Sequence, residues 1–390
     1  MKKIKICYFT HLPNLTGSNR SLLDMLDGMD RNKVEPFVIL GSHGPVEAEL
    51  KKRKIRYEIS FYSPATNSDN CVKNIGKHFL NTPFINRISV NKVKKILKRE
   101  SIDVLHNNTY IVGVGMQAAY ELKIPYICHI REFIWEDHHR KFFNEAQQEF
   151  LLKSATEVIA ITKAVKQKFQ PQSDKEIIVL NDGIKTDEYK LPLTEKFKDK
   201  TISILMAGRI APGKGQMDAI KAVEELKKRG HQNLKLIIVG GIGDDKYNNQ
   251  IHDYVENKQI DNVEFVEFTN DLKAIRSQCD IGLTCSKAEA LGRVTIENML
   301  SSMLVIGADT AGTLEIIRDG ENGYIYRQDS YVDLADTIEK AMNSSKKSNK
   351  IIENGYNMAL KKYDHQTYSC KIAKIYENII KKSNNGKGLQ

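Results

Sequence analysis

Two carboxylates eight positions apart mark the stretch where chemistry is most concentrated, DIGLTCSKAEALGRVTIENML (280–300). Ile281–Cys285 reads as a short buried strand and Lys287–Leu291 as a loop. From Gly292 onward Val294, Ile296, Met299 and Leu300 give a helix its apolar face. Glu289 thus sits in a loop at the carboxyl end of a strand, and Glu297 about one and a half turns into the next helix. Between them Ala290, Leu291, Gly292, Arg293, Val294 and Thr295 include the free N–H groups of the helix N-terminus, a ready anion site. A phosphate with a hydroxyl-rich group on each side suits this arrangement, because carboxylates accept hydrogen bonds from sugar hydroxyls. The spacing alone also fits a surface helix carrying two ordinary glutamates.

Other groups have types suited to the same chemistry. GRIAPGKG (208–215) follows a strand and precedes a helix. It nearly matches the P-loop pattern GxxxxGK[ST], but Gly215 stands where a magnesium-holding Ser or Thr belongs, which argues against an NTPase. Arg209 and Lys214 still flank a loop at a helix N-terminus, a good diphosphate clamp. The plainer reading is a basic loop paired with surface acids. His129 ends the strand PYICHI, and a strand-end histidine facing a cleft exchanges protons near neutral pH. A lone histidine is more often structural. Arg131 and Glu132 are weaker candidates for the same site, with a simple pairing to each other as the alternative, and His106 in LHNN is placed to line the same cleft. Gly17 and Ser18 occupy the first strand-to-helix loop, where a glycine permits close backbone approach to a ligand or simply makes a turn. TAGTLEII (310–317) and DGENG (319–323) read as framework.

In order, TGSNRS (16–21), HIRE (129–132), NDGI (181–184), GRIAPGKG, the Glu289–Glu297 pair and TAGTLEIIRDGENG (310–323) resemble the retaining, nucleotide-sugar-dependent glycosyltransferases of family 4, which have the GT-B fold. The resemblance covers nearly the whole chain. It implies two Rossmann-like, doubly wound parallel-sheet α/β domains facing a cleft, with a C-terminal helix crossing back to the first. It implies transfer of a sugar from a nucleoside diphosphate donor, a UDP-sugar by default and a GDP-sugar next, to a glycan or lipid-linked acceptor held mainly by the first domain. By the same resemblance Glu289 holds donor-sugar hydroxyls and Glu297 the ribose. Arg209 and Lys214 meet the leaving diphosphate, His129 orients the sugar, and Gly17 and Ser18 lie near the donor phosphate. Similar enzymes react on the sugar's front face, the leaving phosphate taking the acceptor's proton, so no general base is sought. The chain departs from its relatives in having Gly-Ser for a Gly pair, Leu291 for an aromatic and Glu267 for a glycine. No metal or other cofactor is expected, since Asp-x-Asp is absent. Alternatives are a nucleotide-sugar epimerase or glycan phosphorylase of the same fold, or a non-catalytic sugar-binding protein.

The elements that must position these residues alternate strand and helix, which predicts parallel sheets covered on both faces. Strands are expected at 5–9, 35–41, 56–60, 103–107, 125–130, 157–162 and 176–180, then at 202–207, 235–240, 263–268, 281–285, 304–308 and 324–326. Helices are expected at 19–29, 110–122, 136–153, 334–342 and 368–380, with 62–72 a loop. The domains are read as 1–183, a linker at 184–200, 201–365, a crossover helix at 366–383 and a frayed tail at 384–390. The base is expected near Gly240–Asp244 and Phe268–Asn270.

Composition is that of a globular protein, with 41% hydrophobic and 28% charged residues. No apolar run approaches the ~20 residues of a membrane span. MKKIKICYFTHL reads as a first strand rather than a signal peptide, and six scattered cysteines suit a reduced cytosol. The charge of +10 is uneven: residues 1–190 hold 30 Lys and Arg against 22 Asp and Glu, a net of +8. KKRKIR (51–56) and NKVKKILKRE (91–100) supply much of it, and in the second Val93, Ile96 and Leu97 form one face of a short amphipathic helix. The expectation is a cytoplasmic protein with peripheral contact to an anionic inner membrane face, a solvated basic face being the alternative. Nucleic acid is disfavoured, because the clusters lack interleaved aromatics.

Overall fold

The computed structural model describes residues 3–11, 13–62, 65–68, 75–138, 140–198, 201–269 and 271–387. The chain forms two compact units, 1–184 with 365–390, and 185–364.

The first unit is built on β1 (Ile4–Phe9), β2 (Val34–Leu40), β3 (Arg56–Ile59), β4 (Thr66–Ser68), β5 (Val104–Asn107), β6 (Tyr126–Ile130), β7 (Arg140–Phe142), β8 (Glu157–Ala160) and β9 (Ile178–Val179). Seven of these make a parallel sheet in the order β3-β2-β1-β5-β6-β8-β9, and β4 pairs antiparallel with β7. Ile6, Cys7, Tyr8 and Phe9 are all buried, as a strand covered on both faces requires. The strand order reverses between β1 and β5. In such a sheet the loops after the two central strands open a crevice. The loop after β1 leads to Gly17 and Ser18, and Asn108, just past β5, donates through Nδ2 to the Ser18 carbonyl at 3.2 Å. The helix His365–Lys387 packs on this unit, with Tyr368, Ile372, Tyr376 and Ile379 in one core with Leu22, Met25 and Leu26.

The second unit carries β10 (Ile202–Ala207), β11 (Leu234–Val239), β12 (Val263–Val266), β13 (Ile281–Thr284), β14 (Leu304–Ala308) and β15 (Tyr324–Tyr326). They form a parallel sheet in the order β12-β11-β10-β13-β14-β15. The reversal here lies between β10 and β13, which pair through Ile204–Ile281 and Leu205–Gly282. Thus the loop of Arg209 and Lys214 and the loop of Glu289 leave adjacent central strands.

Several local expectations change. The first helix is Gly17–Asp27, two residues earlier than its apolar pattern suggests. Residues 136–153 are not one helix. Ile134–His138 and Glu145–Lys153 are helical, and β7 between them pairs with β4 in the stretch read as loop. That pairing is non-local, so periodicity does not reveal it. Helix Ser345–Lys362 carries little sequence signal, because its first turns are polar and Gly355 interrupts the apolar pattern. The last helix runs on through the expected tail to Lys387. Residues 185–198 lie within the second unit, where helix Thr186–Tyr189 packs on helix Arg293–Leu300.

The basic stretch 91–100 is the end of a long helix, Ile75–Arg99. Its apolar face is not available to a bilayer: Val93, Ile96 and Leu97 are buried against the domain. Part of its charge is neutralised, Lys94 and Arg87 by Glu121, and Arg99 by Glu58 and Glu100. No helix among the described residues is long and apolar enough to cross a membrane.

Candidate active site

In the second unit the topology brings one cation and one acid into contact. Lys214 Nζ lies 2.5 Å from Glu289 Oε1, which also accepts from Ser286 Oγ at 2.8 Å. Two backbone features make the approach possible. Gly215 has φ +77°, and a side chain there would collide with the Cys285 carbonyl. The residue that spoils the P-loop pattern is therefore demanded by packing between the two loops. The backbone N–H of Lys287 donates to the Gly213 carbonyl at 2.9 Å, tying the loops together. Lys214 and Glu289 remain partly open, with side chains 32% and 20% exposed. Arg209 is exposed on the same loop, its carbonyl accepting from Gln216 Nε2 at 3.0 Å.

Helix Arg293–Leu300 begins beyond Gly292, whose φ of +83° turns the chain from loop into helix. Arg293 and Val294 are half-buried. Ala290 and Leu291 are buried, so the Leu291 side chain faces the protein interior. The Thr295 hydroxyl lies 2.8 Å from that of Thr284, locking the helix start to β13. Glu297 is buried, with Oε2 accepting from Arg276 Nη2 at 2.6 Å and Oε1 lying 3.8 Å from Arg293 Nε. The two acids therefore differ: Glu289 is partly open and bound by a lysine, while Glu297 is held from behind by a buried arginine. Arg276, in LKAIRS, carries no sequence signal of its role, because it meets Glu297 only through the fold.

The first unit holds its polar residues in a buried cluster. His129, on β6, is fully buried. Its Nδ1 lies 3.1 Å from His106 Nε2 and 3.2 Å from Arg131 Nη2. His106 Nδ1 lies 2.6 Å from the Tyr376 hydroxyl, itself 3.2 Å from that of Tyr8. Arginine only donates, so His129 Nδ1 accepts and its proton sits on Nε2, 3.9 Å from Asp182 Oδ1. Burial, then the charge of Arg131, pushes His106 down to about 3, and the same causes hold His129 well below the ordinary histidine range. Both rings are neutral near pH 7. The expected Arg131–Glu132 pair does not form. Arg131 pairs with Asp182 and reaches the Tyr368 hydroxyl at 3.3 Å, while Glu132 Oε1 accepts from the Tyr110 N–H at 3.1 Å. Burial opposes the charge of Arg131, and Asp182 and Tyr368 outweigh it. Strand-end placement suggested an open His129. The C-terminal helix, 237 positions beyond Arg131, closes the cluster instead. Gly17 opens helix Gly17–Asp27, and a side chain there would meet nothing within 4 Å, so its space is open. Ser18 Oγ lies 3.2 Å from Thr16 Oγ1.

Two family models match the chain in tandem, Glycosyltransferase Family 4 over residues 15–188 and Glycosyl transferases group 1 over 191–358. Among curated proteins it is 24% identical over 242 residues to the capsular polysaccharide biosynthesis glycosyltransferase CapM of Staphylococcus aureus, covering 59% of this chain and 63% of that one. It is 24% identical over 351 residues to an uncharacterized glycosyltransferase of Methanocaldococcus jannaschii, covering 86% of this chain and 93% of that one. The chain thus spans a little under two thirds of the first relative and nearly all of the second. Among solved structures, Anabaena HepE in complex with UDP and glucose superposes with a TM-score of 0.79 at 22% identity, covering 96% of this chain and 100% of that one. That similarity establishes the GT-B fold.

Proposed function

This chain is a glycosyltransferase of the GT-B type, and from that premise we propose that it is a retaining enzyme taking its sugar from a UDP-linked donor. The observation that carries the reading is the Lys214–Glu289 contact at the switch point of the second sheet. It puts a phosphate-binding cation beside a carboxylate that accepts sugar hydroxyls, at the start of a helix whose far side carries a second acid. A nucleoside diphosphate sugar has that order of groups: ribose, diphosphate, sugar. Glu297 takes the ribose, Arg209, Lys214 and the helix N–H groups the diphosphate, and Glu289 the sugar. As the glycosidic bond to phosphate breaks, negative charge grows on the leaving diphosphate. Fixed cations at that point stabilise the transition state more than the ground state. No metal is assigned to this step. The acceptor's proton goes to the leaving phosphate, and the step asks nothing of His129, which is sealed in the core of the first unit. That CapM acts in capsular polysaccharide synthesis, and HepE was solved with UDP and glucose, supports a UDP-sugar donor and a surface-glycan acceptor for this chain too.

The basic first domain is assigned peripheral contact with an anionic membrane face, on the cytoplasmic side. With Val93, Ile96 and Leu97 buried, that contact rests on the exposed Lys92, Lys95 and Lys98. Phe61 and Ile88 add apolar surface at 63% and 55% exposure, held near each other by the Ser89 hydroxyl donating to the Phe61 carbonyl at 2.6 Å. The test of the whole reading is a nucleotide-sugar panel screened by thermal shift. Turnover then follows with the stabilising donor and candidate acceptors, and the product's anomeric configuration is read by NMR. An inverted product, or stabilisation by no nucleoside diphosphate sugar, overturns it.

A further inference from the structure

We propose that Arg276 is a positioning residue for the donor nucleotide, holding Glu297 in the orientation from which its carboxylate accepts the ribose hydroxyls. The inference rests on the assignment of Glu297 given above. Arg276 lies on helix Leu272–Ser277, outside every motif of the sequence, and is 1% exposed. Its Nη2 donates to Glu297 Oε2 at 2.6 Å and its Nε to Asn298 Oδ1 at 3.1 Å. One rigid guanidinium fork therefore grips two consecutive residues of the donor helix, fixing both the Glu297 rotamer and the rotation of that helix. Because Oε2 is engaged from inside, Oε1 is turned toward Arg293, the residue that opens the helix. The surroundings accommodate this grip. A side chain at Gly282 would collide with Asn298 Nδ2, so β13 leaves room for the asparagine that takes the second bond. The Tyr189 ring lies over the guanidinium at 5.4 Å, covering the cation with an aromatic face. Net stability alone does not account for the pair, since a buried ion pair contributes little beyond an apolar replacement of the same shape. Holding a carboxylate in one orientation is what the two-residue grip of Arg276 does.

The test compares the dissociation constants of UDP and 2′,3′-dideoxy-UDP, by titration calorimetry, for wild type, Glu297→Gln, Arg276→Met, Arg276→Lys and the Arg276→Met/Glu297→Gln double variant. Wild type is expected to prefer UDP roughly tenfold or more, the factor of a charge-assisted hydrogen bond. Arg276→Met should lose that preference while keeping its affinity for the dideoxy compound. Arg276→Lys should recover part of it, and the double variant should be no worse than Glu297→Gln alone. A general loosening of the domain would weaken both ligands together. If Arg276→Met does not fold, Arg276→Lys and the double variant, which leaves no unpaired buried carboxylate, carry the comparison. Full discrimination in any folded Arg276 variant that retains Glu297, or strictly additive losses, overturns the inference while leaving Glu297 in place. Unchanged UDP affinity in Glu297→Gln overturns the assignment of Glu297 itself.

Discussion

Truncating Lys214 to alanine separates the two partners its ammonium can serve. Without ligand it sits 2.5 Å from Glu289 Oε1, both side chains partly in water at 32% and 20% exposure. An ion pair in that setting contributes about 0–1 kcal/mol, so Lys214→Ala should change folding stability by no more than that. A diphosphate oxygen is a different partner, because a charge-assisted hydrogen bond contributes roughly 1.5–3 kcal/mol. Binding must first share the lysine with Glu289, which subtracts up to the worth of the resting pair. The expected net loss of UDP affinity is then about 0.5–3 kcal/mol, or roughly 2- to 150-fold. Titration calorimetry with UDP and with uridine decides. Uridine lacks the phosphates and should bind both proteins alike, while the UDP difference should shrink as salt is raised. Equal losses for the two ligands, or an unchanged UDP constant, would refute the clamp.

The two acids should separate: Glu297→Gln weakens UDP binding, whereas Glu289→Gln lowers turnover and leaves UDP binding unchanged or tighter, since Lys214 is released. Comparable UDP losses in both variants would end that division of labour. Turnover should persist in excess EDTA; complete loss restored by magnesium or manganese would require a metal at the diphosphate. Reversing Lys92, Lys95 and Lys98 to Glu should abolish salt-sensitive co-sedimentation with anionic vesicles, each lysine contributing about 1 kcal/mol, while UDP binding survives. Equal pelleting of wild type and variant would leave the membrane contact without basis. His106 binds its proton far less readily when folded, at about 3 against an ordinary 6.5. The neutral ring's stabilisation is therefore complete above 6.5 and lost as pH falls toward 3. At about pH 5 the cost is roughly 2 kcal/mol, from ~1.4 kcal/mol per pH unit. Chemical unfolding of His106→Gln should lack that share of the decline, and equal acid losses in both proteins would contradict it.

What the sequence determined by itself is local. Continuous apolar runs such as Ile281–Thr284 specify buried parallel strands, and Gly292 ahead of an apolar helical face specifies a strand–turn–helix with acids at known places. The motif order pointed to GT-B for the same reason, because each motif is one strand end and the turn after it. What the tertiary structure decided is which strand ends become neighbours. Sheet order sets β10 beside β13, and so makes Lys214 and Glu289 partners across 75 positions. It sets Arg276 behind Glu297, packs Val93, Ile96 and Leu97 of the basic stretch inward, and seals the His129 cluster with a helix reaching from His365 to Lys387. Such pairings belong to contacts between elements. The periodicity of one element records how it folds and which face it buries, and the identity of the element that covers that face is settled only when the sheets assemble.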